Sequence, residues 1–205
     1  LAISTGTNNV LPSAVEGTVA GTAAGGVASG FVPLSQAALR HKWLQVLING
    51  QDRDRALVEV GVLKGRFVAA RAVWHPEDIE LVVGTRGSPD SVGLSAILGM
   101  VEPFGTDDGH ALAVKLDGGK GRRILVPLAP GLMKDVCISD AWRIVDGQAV
   151  EVIAKHPLVC ALDGERELAL FEGDYLQVIL RNDGPWIVNV KDTLAYMRDR
   201  GYFER

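Results

Sequence analysis

The sequence predicts a mainly β protein, an antiparallel β-sandwich or barrel-like body carrying a few helices, preceded by a loop and a helix. Three observations predict it. From Lys42 onward, short apolar runs recur at 43–48, 56–63, 68–74, 79–83, 111–116, 124–128, 136–138, 150–154, 158–162, 168–171, 175–180 and 186–190. Runs this short and this closely spaced suit a sandwich or barrel-like body. Turn residues separate many of them, at Asn49-Gly50, Asp117-Gly118-Gly119, Asp146-Gly147, Glu172-Gly173 and Asp183-Gly184. The tighter of these predict hairpins, because Asn, Asp and Gly accept the positive φ that such turns require. Glycine supplies 24 of 205 residues, and much of that surplus is explained by turns.

Three helical segments accompany the strands. The first is expected over 12–29, with Pro12 at the first helical position and Ser13 sharing the start. It carries Gly17, Gly21 and Gly25 at four-residue spacing, beside a row of Ala20, Ala24 and Ala28. Each glycine costs a helix about 0.5–1 kcal/mol relative to alanine. The row therefore predicts a close backbone approach, by a packed neighbour or by a ligand. The other two segments are expected at 91–100 and 191–200, the latter with Asp192 in its first turn.

Composition excludes several classes. A chain with 47% hydrophobic and 22% charged residues is not disordered. A net charge of −4 argues against a nucleic-acid partner that works by phosphate neutralisation. Two cysteines, Cys137 and Cys160, rule out a disulfide scaffold and a multi-cysteine zinc site. His41, His75, His110 and His156 show no zinc-ligand spacing, so no metal ligands are assigned. No run reaches 18 uninterrupted apolar residues, and no basic signal-peptide start is present. The expectation is a cytoplasmic protein with reduced cysteines and no membrane partner. The chain opens on Leu1-Ala2-Ile3-Ser4 without methionine, which reads as the middle of a strand in a longer protein.

Four places combine residues suited to chemistry. Ser4-Thr5-Gly6-Thr7-Asn8-Asn9 precedes the first helix. Free backbone N–H groups and a positive helix end make such a loop an anion site, although an ordinary turn has the same composition. Gly87-Ser88-Pro89-Asp90-Ser91-Val92-Gly93-Leu94-Ser95 leads into the second helix, where Ser88, Asp90 or Ser91 is placed to cap it. Gly93 and Ser95 are small enough to admit a ligand there. Asp163-Gly164-Glu165 suits a hairpin tip, and its two carboxylates suit a metal ion or a polarised hydroxyl. Glu59 stands in an apolar run and requires either solvent or a partner.

These pieces, in this order, resemble the ATP-NAD kinase-like family associated with acetoin catabolism, of the protein X type. The resemblance rests on Ile3-Ser4-Thr5-Gly6-Thr7-Asn8-Asn9-Val10-Leu11-Pro12, on Val92-Gly93-Leu94-Ser95-Ala96-Ile97-Leu98-Gly99 and on Ala161-Leu162-Asp163-Gly164-Glu165-Arg166-Glu167. It implies a β-sandwich of the NAD kinase C-terminal domain type over 35–190. Residues 1–34 would be the trailing loop and helix of an N-terminal α/β nucleotide-binding domain. Residues 191–205 would form a helix returning towards that domain. The resemblance further implies ATP and Mg²⁺ as cofactors, NAD or a related hydroxyl compound as acceptor, and assembly as a homo-oligomer. Gly6, Thr7, Asn8 and Asn9 would bind the nucleotide. Glu59, Asp90, Ser91, Gly93 and Ser95 would line the acceptor side, and Asp163 and Glu165 would act in catalysis. Val58 stands where NAD kinases carry an asparagine before the glutamate. The Gly-Gly-Asp-Gly-Thr phosphate motif of the wider group does not occur in the chain. The expected function is phosphoryl transfer in the intact protein, with the 205-residue chain inactive alone. The alternative is a non-catalytic nucleotide-sensing or oligomerisation module.

Overall fold

A computed structural model describes residues 15–65 and 75–205. In chain order these form helix α1 (Gly17–Ala28), the short α2 (Leu34–Ala37), β1 (Ala38–Arg40), β2 (Trp43–Ile48), β3 (Gln51–Ala56) and β4 (Glu59–Lys64). Then come a 3₁₀ turn (Pro76–Asp78), β5 (Ile79–Gly84), α3 (Leu94–Val101), β6 (His110–Leu116), β7 (Arg122–Ala129) and β8 (Leu132–Val145). The chain closes with β9 (Ala149–Ile153), β10 (Leu158–Leu162), β11 (Arg166–Leu170), β12 (Tyr175–Arg181), β13 (Trp186–Val188) and α4 (Val190–Asp199). The expected run at 68–74 and the Gly6–Asn9 loop lie outside the described residues.

Lys42–Asn182 form one compact unit. It holds a seven-stranded sheet in the order β11-β10-β4-β5-β6-β8-β7 and a four-stranded sheet in the order β3-β2-β12-β9, with every pairing antiparallel. The two sheets enclose one core, in which Leu44, Val46, Val60, Val62, Val83, Ala113, Cys160, Val178 and Leu180 are fully buried. Strand β2 shows the driving pattern, with alternate residues Leu44, Val46 and Ile48 turned inward. Helix α3 covers the opposite face of the larger sheet, packing Ile97 and Leu98 with Val82, Leu112, Val114, Val126 and Leu128. The architecture is thus the mainly antiparallel β-sandwich that the short runs predict. Cys160 is buried in the core, where desolvation pushes its thiol up to about 12; Cys137 is half-buried, and both are free.

Hairpin chemistry works as the turn residues imply. Asn49 and Gly50 take φ of 54° and 76° between β2 and β3, and Asp163 and Gly164 take 53° and 70° between β10 and β11. Two strands escape the apolar-run criterion. The polar Gln51–Ala56 segment forms strand β3, which among the described residues is an edge strand paired only with β2. Strand β8 runs for 14 residues, of which only 136–138 read as a strand in the sequence.

Residues up to His41 and Asp183–Arg205 form the second compact unit. Strand β1 pairs antiparallel with β13, and the His41 amide donates to the Pro185 carbonyl at 2.8 Å. Residues 38–41 therefore associate with the chain end, and the unit boundaries fall at 41/42 and 182/183. Helix α4 is capped by Asn189, whose side chain accepts from the Asp192 amide at 3.2 Å. It packs Met197 with Val32 and Ala37.

Helix α1 starts later than expected, at Gly17, and Glu16 caps it by accepting the amides of Thr18 and Val19 at 2.9 and 3.2 Å. Among the described residues the glycine row has no packed neighbour: Gly17, Gly21 and Gly25 are exposed, with nothing within 4 Å of a Cβ built at any of them. The close approach occurs one position on, at Gly26, where a Cβ would lie 2.5 Å from the Met197 sulfur. Among the described residues no helix is long and apolar enough to cross a membrane.

Candidate active site

The site residues converge on the corner Leu57-Val58-Glu59, where the chain leaves edge strand β3 and enters β4 in the middle of the large sheet. Asp163 holds this corner from across the sheet. Its Oδ2 accepts the Leu57 amide at 2.9 Å, and its Oδ1 accepts the amides of Val58 and Glu59 at 2.8 and 3.1 Å. The Asp163 amide donates in turn to the Glu59 carbonyl at 3.0 Å. The hairpin tip makes this possible, because the positive φ at Asp163 brings its side chain back over β4, the neighbour of β10.

Two residues that the sequence did not single out complete the clamp. Thr85, fully buried at the end of β5, donates its hydroxyl to the Leu57 carbonyl at 2.7 Å and its amide to the Val58 carbonyl at 2.9 Å. Arg166 ties the hairpin to β3 through Asp54 at 2.7 Å and the Arg55 carbonyl at 2.8 Å, with Asp163 at 3.4 Å. Thr85 gives no signal in sequence because it merely ends an apolar run. Arg166 was legible as the lone cation among three acids in Asp163-Gly164-Glu165-Arg166-Glu167.

Glu59 lies on a central strand and is 9% exposed, so it is neither an edge nor a solvent-facing residue. Its partner is Ser95, fully buried in the first turn of α3, whose hydroxyl donates to the Glu59 carboxylate. Desolvation pushes the Glu59 carboxyl up to about 7; the nearby Asp163 charge adds to the rise, and the Ser95 hydrogen bonds oppose it. The carboxyl thus exchanges its proton near neutral pH, which suits a group that shares a proton with a hydroxyl.

The approach to α3 differs from expectation. Among the described residues no side chain caps the helix. Gly93 occupies the N-cap with φ of 86°, a backbone region closed to most side chains, and its amide donates to the Pro127 carbonyl at 2.9 Å. Ser88 and Asp90 bond each other instead, and the Ser91 amide closes a turn onto the Ser88 carbonyl at 3.1 Å. The structure therefore brings Glu59, Ser95 and Asp163 together at the corner. Asp90 and Glu165 are exposed, and Ser91 and Gly93 lie on the loop entering α3.

Both oxygens of Asp163 are filled by backbone N–H donors. The role this geometry supports is positioning of the 57–59 corner. Among the described residues, no group of three His, Cys, Asp or Glu side chains is arranged to hold a metal ion.

Comparison with known proteins places the chain in a family. The family model described as Acetoin catabolism protein X C-terminal domain matches residues 42–183. The chain is 37% identical to acetoin catabolism protein X of Cupriavidus necator, over 97% of its own length and 56% of that protein. Among solved structures it resembles yeast NADH kinase complexed with NADH, with a TM-score of 0.51 and 13% identity, over 97% of this chain and 57% of the kinase chain. The chain therefore spans a little over half the length of each of these proteins. The structural likeness establishes a shared fold, and its mainly β part is that of the NAD kinase C-terminal domain. On the family match and the sequence identity together, the chain belongs to the acetoin catabolism protein X family.

Proposed function

We propose that the Glu59–Ser95 pair forms the acceptor side of a nucleotide site used, in the intact protein, for ATP-dependent phosphoryl transfer to NAD or a related hydroxyl compound. The observation that carries this reading is a buried carboxyl with a pKa of about 7, held against a serine hydroxyl at the start of a helix. Such a pair orients a substrate hydroxyl by exchanging one short hydrogen-bond partner for another. Gly93 supports it by leaving the first turn of α3 without a side chain, and Asp90 and Ser91 add polar groups on the approach. The kinship with a protein of acetoin catabolism and the fold shared with a kinase crystallised with NADH lend further support. Phosphoryl transfer depends on positioning and charge stabilisation, so a site made of oriented donors is chemically sufficient on the acceptor side. In this reading Mg²⁺ arrives with the ATP phosphates. Gly6, Thr7, Asn8 and Asn9 remain the candidates for the nucleotide phosphates.

One observation favours a second reading, a non-catalytic nucleotide sensor. The aspartate expected in catalysis is committed to three backbone amides, and Glu165 stands exposed on the turn without a side-chain partner among the described residues. Calorimetric titration with NAD, NADH and ATP, run beside an NADP-forming assay, separates the two. The expected outcome for the 205-residue chain is saturable NAD or NADH binding, about tenfold weaker in Glu59→Gln, without turnover. Unchanged binding in that variant removes Glu59 from the acceptor side. Robust NAD phosphorylation by this chain alone overturns its expected inactivity. With the full-length protein, turnover supports the kinase and binding without turnover supports the sensor.

A further inference from the structure

Arg86, Gly87, Ser88, Pro103, Phe104, Gly105 and Thr106 line an open cleft of about 440 Å³. That volume lies in the range of small-molecule sites. Arg86 is half-buried. Among the described residues its guanidinium makes no hydrogen bond and no ion pair; the nearest acid acting on it is Asp90. Burial pulls its pKa down, a sign that its five N–H donors have lost water without gaining an acceptor.

Both walls of the cleft are fixed. Gly87 and Phe104 exchange amide-to-carbonyl hydrogen bonds of 3.0 Å in each direction. The backbone of Ser88 lies against Gly99 of α3 so closely that a Cβ there would sit 2.3 Å from it. The loop beyond Phe104 is anchored by the buried Lys42 ammonium, which donates to the carbonyls of Gly105, Asp108 and His110 at 2.9, 2.7 and 2.6 Å. Asp108 closes the same loop by accepting the Gly105 amide at 2.6 Å. A cation held without a partner between two pre-formed walls is a binding arrangement whose ordering cost is already met by the fold.

We infer that this cleft binds the carboxylate of a small organic acid, with Arg86 as the charge partner. The planar guanidinium fork matches a carboxylate in two parallel hydrogen bonds. Thr106 supplies a further hydroxyl donor, and Pro103 and Phe104 form an apolar wall for the body of the ligand. Charge balance selects a monoanion. Asp90 is the acid whose charge acts on Arg86, and its carboxylate already accepts the Ser88 hydroxyl. A dianionic phosphate would bring its second charge against Asp90. This inference does not rest on the nucleotide reading, which makes no use of Arg86.

Amide NMR titration of the 205-residue chain at constant ionic strength tests it, with benzoate as probe. The expected result is saturable shifts confined to residues 86–88 and 103–106 in the millimolar range, no shifts with neutral benzamide, and at least tenfold weaker binding of inorganic phosphate. Arg86→Gln is expected to weaken benzoate at least tenfold while leaving the rest of the spectrum unchanged. Arg86→Lys keeps the charge, loses the fork and is expected in between. Asp90→Asn is expected to tighten benzoate severalfold and to narrow the gap to phosphate. Equal shifts with benzamide, equal binding by Arg86→Gln, a preference for phosphate, or no saturable shift in the wild type each overturns the inference. Should Arg86→Gln not fold, the lysine and asparagine variants decide it.

Discussion

The Asp163 corner and the Arg86 cleft lie on the same sandwich and treat charge in opposite ways. At the corner, a carboxylate gathers three backbone amides and the Arg166 guanidinium, and its neighbour Glu59 is matched to Ser95. In the cleft, a half-buried guanidinium faces open space without a hydrogen bond among the described residues. The difference separates charge that builds structure from charge held ready for a ligand. A satisfied network rigidifies what surrounds it, whereas an unsatisfied group is tolerated only where something arrives to satisfy it.

Substitution at the two charges breaks or upholds that contrast. Asp163→Ala strands three amides, and the expected loss is about 4 kcal/mol of unfolding free energy. Arg86→Gln removes no contact within the protein, and the expected change stays within about 0.5 kcal/mol. Urea unfolding followed by circular dichroism measures both. A comparable loss in the two variants would show that Arg86 is structural after all.

A somewhat smaller effect sharpens the corner itself. The Glu59 carboxyl titrates at about 7 in the folded protein, against an ordinary value of 4.5. Below the ordinary value it is protonated in both states and contributes no pH dependence. As pH rises from there to about 7 the unfolded state ionises first, so stability falls across this window and levels off above it. The expected fall is about 3 kcal/mol, and Glu59→Gln removes it. Stability curves of both proteins between pH 4 and 8 give the readout. A wild-type curve without that slope would mean that Ser95 or water keeps the carboxylate charged.

The glycines extend the comparison from charge to packing. Gly99→Ala places a Cβ 2.3 Å from the Ser88 backbone, and the expected loss is about 2 kcal/mol. Gly21→Ala meets nothing within 4 Å on an exposed helical face, and the expected gain is about 0.5–1 kcal/mol. Thermal unfolding distinguishes the two signs. Destabilisation at Gly21 would reveal a neighbour for that face of α1.

Individual residues show how far the sequence could be read. The Asn49-Gly50 and Asp163-Gly164 turns were legible, because few dipeptides tolerate positive φ at both positions and a hydrophobic run leads into each. Strand β3 was not, because Gln-Asp-Arg-Asp-Arg carries no apolar period; pairing with β2 alone makes it a strand. Most of β8 was hidden for a related reason, since Lys134, Asp135, Ser139 and Asp140 interrupt it. At the site, Glu59, Ser95 and Asp163 each stood out by type and neighbourhood. Their meeting did not, because Ser95 is 36 residues and Asp163 104 residues from Glu59.

Taken alone, the sequence determined the alternation that makes a sandwich, the turns that close its hairpins and the family to which its motifs point. These depend on local periods and on residues with restricted backbone freedom, and both are written in adjacent positions. Tertiary structure decided which charges are used internally and which are left facing space. It turned Asp163 into a clamp, raised the proton affinity of Glu59 by burying it, left the glycine row of α1 open and isolated Arg86 in its cleft. Desolvation and hydrogen-bond satisfaction depend on atoms brought together from distant parts of the chain, and no local pattern encodes them.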